Sequence, residues 1–287
     1  LVYSKKHNYV FASSGADQEI FAIDVSDTSA MSVEQTLAIG SFTILDMALD
    51  DANGLLYAIC NNSQLRVYDV STPNSITYLR YISVLQTGAS ARVALDIKRK
   101  RLLLNTTSTT PSYTLRLIDV SSPGYPVEID TLTTSTDEAS DTYAQLSLNT
   151  VSGHAIQLTE ARSRIIDYSS DVLSDVSSQY TLRAATFGAR RPAYYRARDK
   201  KLFAGSAANA IYDLSSGAWS GSTPINSLPM TILAHDDYRL VTFGYDASGN
   251  FLCYDTSDPT VDVQIGSLAS SGSSLTPVVT NTASASA

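Results

Sequence analysis

Six copies of one short pattern run along this chain of 287 residues: an isoleucine or tyrosine, an aspartate, any residue, and a serine. They stand at Ile23-Asp24, Tyr68-Asp69, Ile118-Asp119, Ile166-Asp167, Tyr212-Asp213 and Tyr254-Asp255, so the aspartates are 45, 50, 48, 46 and 42 residues apart. A unit recurring at that period cannot bury its apolar face alone, and stacked copies must bury it against one another. Six units take up nearly the whole chain.

The second unit shows what each one contains. Ile44-Leu45-Asp46-Met47-Ala48-Leu49, Leu55-Leu56-Tyr57-Ala58-Ile59-Cys60, Gln64-Leu65-Arg66-Val67-Tyr68 and Ile76-Thr77-Tyr78-Leu79-Arg80-Tyr81 are short runs rich in β-branched, aliphatic and aromatic residues. Turn residues such as Asp51-Ala52-Asn53-Gly54 and Ser71-Thr72-Pro73-Asn74 separate them. Such a series reads as four antiparallel strands. Four-stranded units set radially leave only short edges, and the expected fold is all-β: a six-bladed β-propeller of four-stranded antiparallel blades over residues 1–267, followed by a Ser/Thr/Ala-rich tail over 268–287. The repeated Asp and Ser are read as turn caps rather than catalytic groups, because side chains of these types bond backbone N–H groups just beyond a strand. Pro73, Pro123 and Pro259 then fix φ where a missing N–H costs nothing.

The pattern resembles the LVIVD-type propeller repeats of bacterial and archaeal surface proteins. Leu115-Arg116-Leu117-Ile118-Asp119-Val120-Ser121-Ser122-Pro123-Gly124-Tyr125-Pro126 carries the likeness best, with Phe21-Ala22-Ile23-Asp24-Val25-Ser26-Asp27 and Leu65-Arg66-Val67-Tyr68-Asp69-Val70-Ser71-Thr72-Pro73 close behind. Units four to six drift, with Tyr168, Leu214 and Thr256 in place of the valine. The resemblance implies a fold and a surface location, and it brings no catalytic residues with it.

Charge and composition exclude some roles. With 20 basic and 28 acidic side chains the net charge is -8, which repels a phosphate backbone, so no nucleic-acid partner is expected. No run of 18 apolar residues offers a membrane span. Cys60 and Cys253 fall in different units and on different kinds of strand; two buried thiols are expected, not a disulfide, and two cysteines cannot hold zinc unaided. The chain opens at Leu1 within a strand-like run, so any export leader is expected to lie outside this sequence, and the few lysines and many Ser and Thr favour an extracellular or cell-surface location. Asn61-Asn62-Ser63 and Asn105-Thr106-Thr107 match the glycosylation acceptor pattern.

Chemistry is hard to place. The inner strands of the propeller, residues 44–49, 92–96, 144–148, 193–196 and 231–234, hold only Asp46 and Asp96 as acids, too few for the oxygen cage a hard cation needs. His7, His154 and His235 align to the turn between first and second strands and read as solvated side chains. No nucleophile elbow and no glycine-rich phosphate loop is present. No catalytic residue, metal ligand or cofactor site is assigned.

All six lysines fall at that same turn: Lys5 and Lys6 in the first unit, Lys98 and Lys100 beside Arg99 and Arg101 in the third, Lys200 and Lys201 in the fifth. The intervening units carry Asp50 and Asp51, no charge over residues 149–153, and Asp236 and Asp237. One face is therefore expected to alternate in sign. Its ordinary meaning is a ring of solvated ion pairs; its sharper one is a surface that meets a partner, where charge fixes register. At the C-terminus, residues 269–274 read as a flexible linker and Leu275-Thr276-Pro277-Val278-Val279-Thr280 as a short strand, which either rejoins the first blade or adds to a neighbouring copy. The leading expectation is a non-enzymatic propeller that contacts identical copies in a surface layer, filament or virion. The alternatives are an adhesin or carbohydrate binder using residues 105–112, Tyr194, Tyr195 and Trp219, and a lactonase-like hydrolase needing a divalent ion.

Overall fold

The computed structural model describes residues 1–27, 30–84, 91–107, 112–122, 124–135, 144–150, 152–159, 163–176, 193–196, 201–204, 210–213, 226–227, 231–236, 240–245, 251–258, 263–271 and 274–278. Among them there is no helix, and so none long and apolar enough to cross a membrane. Every described strand lies in one of six sheets, one sheet per sequence repeat.

The first sheet runs β1 (Val2–Ser4), β2 (Tyr9–Ser14), β3 (Glu19–Asp24), β4 (Ser32–Ala38). The second is β5 (Ile44–Asp50), β6 (Leu55–Cys60), β7 (Gln64–Asp69), β8 (Thr77–Ser83), and the third β9 (Ala91–Asp96), β10 (Arg101–Thr107), β11 (Ser112–Asp119), β12 (Val127–Ser135). The fourth is β13 (Ala144–Asn149), β14 (His154–Thr159), β15 (Ser163–Asp167), β16 (Ser174–Asp175). The fifth is β17 (Ala193–Arg196), β18 (Lys201–Ala204), β19 (Ala210–Asp213), β20 (Asn226–Ser227). The sixth has five strands: β21 (Thr231–Asp236), β22 (Val241–Tyr245), β23 (Phe251–Asp255), β24 (Val263–Ser271) and β25 (Ser274–Val278). Sequential strands are neighbours throughout, as short turns require.

All six third strands end on the repeat aspartate. Its carboxylate accepts the backbone N–H of the serine two residues on, at 2.8 Å from Ser26 to Asp24, 2.9 Å from Ser71 to Asp69, and 2.8 Å at Asp119, Asp167 and Asp255. This is the expected cap, and it stops the strand by satisfying the first donor of the turn locally. Just before the aspartate the pairing to the fourth strand shifts register, between Ala22 and Ile23, Val67 and Tyr68, Leu117 and Ile118, and Cys253 and Tyr254. The bulge thus recurs with the repeat and twists each outer strand.

The chain divides into two compact units, residues 1–153 with 167–174, and residues 154–166 with 175–287. In the first, β1 packs beside β5, β5 beside β9, and β9 beside β13, so each sheet meets the next through its first strand; in the second, β17 meets β21 in the same way. β6 shows why the strands read as nearly continuous apolar runs: all six of its residues are buried. Its alternate side chains serve two cores. Leu56, Ala58 and Cys60 pack with Phe11, Ile20 and Phe42, while Leu55, Tyr57 and Ile59 pack with Val93, Leu102 and Ile118.

The C-terminal segment departs from the expected linker. β24 continues through Ser271, and β25 turns back on it with Val278 opposite Ser267 and Pro277 opposite Leu268. Residues 268–271 and 274–278 therefore extend the last sheet by a fifth strand. Proline is tolerated there because β25 is the edge strand. Val279 lies outside the described residues.

Candidate functional site

The turn joining first and second strands is built alike in successive units. The last residue of the first strand accepts the N–H three positions on: His7 to Ser4 Oγ at 3.2 Å, Asn53 to Asp50 at 3.1 Å, Arg99 to Asp96 at 3.1 Å, and Ser152 to Asn149 at 3.2 Å. The turn closes on a residue of positive φ, namely Asn8, Gly54, Lys100, Gly153 or Leu240. That residue's carbonyl accepts the N–H just after the repeat aspartate, from Val25, Val70, Val120, Tyr168 and Thr256 respectively. The two turns at this end of a sheet are thus stitched together. Where the approach is closest the left-handed residue is glycine: a Cβ on Gly54 would lie 2.6 Å from Ser71 Cα, and one on Gly153 2.7 Å from Ser169 Cα.

These bonds overturn the expected alternation of exposed charge in the first unit. Asp50 is only 6% exposed, and its carboxylate takes both the N–H and the side-chain amide of Asn53. It is a turn cap and does not face solvent. Asp51 reaches across to the first sheet, accepting from Ser4 Oγ and from the Lys6 N–H. Burial raises its pKa, but the bonds from Ser4, Lys6 and Lys5 and the nearby His7 outweigh that and hold the carboxyl below its ordinary range. Asp96, fully buried, accepts from the Arg99 backbone and guanidinium and, at 3.1 Å, from the Tyr168 hydroxyl. Burial, then the charge and hydrogen bond of Asp96, push the Tyr168 hydroxyl well up.

The cations divide by type. Arg99 also donates to the Thr150 carbonyl, and Arg101 pairs with Asp119 at 2.9 Å and Asp171 at 2.6 Å. Asp119 is held low by the Ser121 N–H above all, with Arg101 assisting. Lys5, Lys6, Lys98 and Lys100 are exposed, and their ammonium groups take no ion pair among the described residues. The planar guanidinium fork gathers internal acceptors while the flexible ammonium stays in water. Lys98 lines an open cleft of about 380 Å³ with Leu95, Asp96, Ile97 and Thr150. In the second unit Lys201 opens β18 opposite Asp213 and Asp236 ends β21 opposite Val241, whereas Lys200 and Asp237 lie outside the described residues.

Other expectations shift as well. His7 lies in its turn, His154 opens β14, and His235 sits within β21 opposite Thr242, not in a turn. Among the described residues no three His, Cys, Asp or Glu side chains converge on a metal position. The inner-strand carboxylate of Asp46 accepts the Val93 N–H at 3.0 Å and ties β5 to β9, while burial raises its pKa. Cys60 and Cys253 are free thiols, and burial pushes Cys60 up to about 12. Asn105, Thr106 and Thr107 extend β10 and do not open a loop; Asn105 is buried, whereas Asn61 is exposed. Tyr194 and Tyr195 pair with Phe203 and Leu202 across β17 and β18; Trp219 lies outside the described residues.

A second set of links went unread in the sequence. Gln35 of β4 accepts the Ile76 N–H of the second sheet, and Asp130 of β12 accepts the Leu173 N–H of the following repeat at 2.6 Å. At the matching place between the second and third sheets stands Pro126, which has no N–H to give. There β8 supplies Arg80, whose guanidinium lies 4.0 Å over the Tyr125 ring. Gln35, Arg80 and Asp130 each directly follow the extra residue of the recurrent bulge in their strand.

No protein-family model matches the sequence, and a search of curated proteins finds no match.

Proposed function

We propose that the chain is a six-bladed β-propeller of LVIVD-type repeats that works outside the cell without catalysis, as a structural module joining identical copies through its lysine-bearing turns. One observation carries this reading: in the first unit every acid among these turns, Asp50, Asp51 and Asp96, is engaged by hydrogen bonds, while four neighbouring ammonium groups are left exposed. The face that results is basic on a chain of net charge -8. Such a face is attracted to acidic surface elsewhere on another copy, and charge complementarity of this kind sets orientation and encounter rate. Exposed Asp17, in the hairpin between β2 and β3 at the opposite end of the first sheet, is part of that acidic surface. A basic end meeting an acidic end is a heterologous contact, which propagates into rings or filaments. One sheet per repeat and first strands laid side by side support the propeller.

Sedimentation velocity tests the reading directly. The native protein is expected to form large species at low ionic strength that dissociate as salt is raised. Replacing Lys5, Lys6, Lys98 and Lys100 with Glu should raise the protein concentration needed for large species by roughly tenfold or more, with an unchanged circular dichroism spectrum because none of the four side chains supports the fold. Arg99 and Arg101 are left in place, since both hold turns together. Equal sedimentation of native and substituted protein would remove the lysine face from the account.

A further inference from the structure

The outer strands present a second surface whose two halves differ in charge. In β8, Tyr78, Leu79 and Tyr81 are exposed, Tyr81 at 51%, and Tyr125, ahead of β12 and beneath the Arg80 guanidinium, is 60% exposed. Amid these apolar groups Arg80 makes no ion pair among the described residues. With its guanidinium carbon 4.0 Å from the centre of the Tyr125 ring, Arg80 retains N–H donors for a carboxylate. At the start of β4 the corresponding surface is Met31, just before the strand, at 62% exposure and Val33 at 58%, with Glu34 exposed next to Val33. Glu34 accepts only the Ser32 hydroxyl and likewise has no cationic partner among the described residues. Exposed apolar groups gathered around one uncompensated charge are characteristic of a contact surface, not of a solvated rim.

We infer that the β8 rim of one copy docks on the β4 rim of the next, with Arg80 facing Glu34 and the tyrosines covering Met31 and Val33. The occupant is a second copy because the same chain carries both the basic apolar rim and an acidic apolar rim of matching character. The contact is made by side chains. Leu79 and Glu34 are the extra residues of the bulges in β8 and β4, and bulged edges twist away from continuous backbone pairing. β8 and β4 are distinct surfaces, so the contact is heterologous and continues from copy to copy. This inference rests on the self-assembly reading and gives it a lateral contact separate from the lysine turns.

Charge exchange tests it. Arg80→Glu and Glu34→Arg, each in the full chain, should raise the concentration at which half the protein is assembled by roughly tenfold or more, because each sets like charges together. The double substitution should return it to the native value, and mixing the two single variants should restore assembly as alternating copies, because every contact between unlike variants then pairs opposite charges. Glu34→Arg touches no packed group, so its loss of assembly cannot come from unfolding. Singles that assemble like the native protein overturn the rim contact but leave the lysine face standing. Singles that fail without rescue in the double overturn the Arg80–Glu34 pairing. A native protein that stays monomeric at every concentration overturns both the contact and the assembly reading beneath it.

Discussion

Asp96→Ala is expected to lower stability by about 3–5 kcal/mol, the range for breaking a buried, hydrogen-bonded charge pair from one side. The carboxylate is fully buried and holds the Arg99 backbone N–H, the Arg99 guanidinium at 3.0 Å and the Tyr168 hydroxyl. Removing it takes this acceptor from the Arg99 N–H and the Tyr168 hydroxyl and breaks the ion pair with Arg99. Asp96→Asn should cost less, about 1–3 kcal/mol, because the amide oxygen can still take the Arg99 N–H. The fourth sheet already uses that solution, with Asn149 accepting from Ser152. Urea unfolding of the two variants checks the order. Equal losses would mean that the hydrogen bond an amide can keep contributes nothing and that the charge on Asp96 carries the whole effect.

Leu56→Ala should cost about 2–5 kcal/mol, the transfer term for the lost methyl groups plus the cavity left between rigid sheets. Leu56 is fully buried near the start of β6, packed in the core shared by the first and second sheets. Ile59→Ala, on the other face of the same strand, should fall in the same range because that face packs in the core shared with the third sheet. Leu79→Ala on β8 makes the contrast. That side chain is 45% exposed, so the loss should be within about 0.5 kcal/mol. A large loss at Leu79 with a small one at Leu56 would contradict the assignment of β6 as the doubly covered strand.

The strands were legible because the repeat fixes them from one end. A strand that stops on an aspartate capping its own turn announces its last residue, and Asp24, Asp69, Asp119, Asp167, Asp213 and Asp255 all end third strands. The charged turns were legible as turns, by alignment, but not in the direction their acids face. Asp50 and Asp96 count as charges in a composition, yet each stands where a side chain bonds three residues ahead, and that local bond turns it inward. Arginine and lysine looked equivalent in the run from Lys98 to Arg101. Only the packing shows that the arginines clamp neighbouring carboxylates and the lysines do not. Links between sheets, such as Gln35 to Ile76, lie 41 residues apart in sequence and depend on register between elements that no short window contains. The short strand expected from Leu275 falls within β25, while the linker expected before it is in part strand, because an edge strand that pairs on one side accepts serine and glycine despite their low strand preference.

Electron microscopy of the native protein at high concentration and low ionic strength tests the central claim most directly. Particle averages should show six-lobed discs with a central opening, joined in a repeating array through faces or rims. Dispersed single particles under the same conditions, or particles without six lobes, would contradict the account of a self-assembling six-bladed propeller.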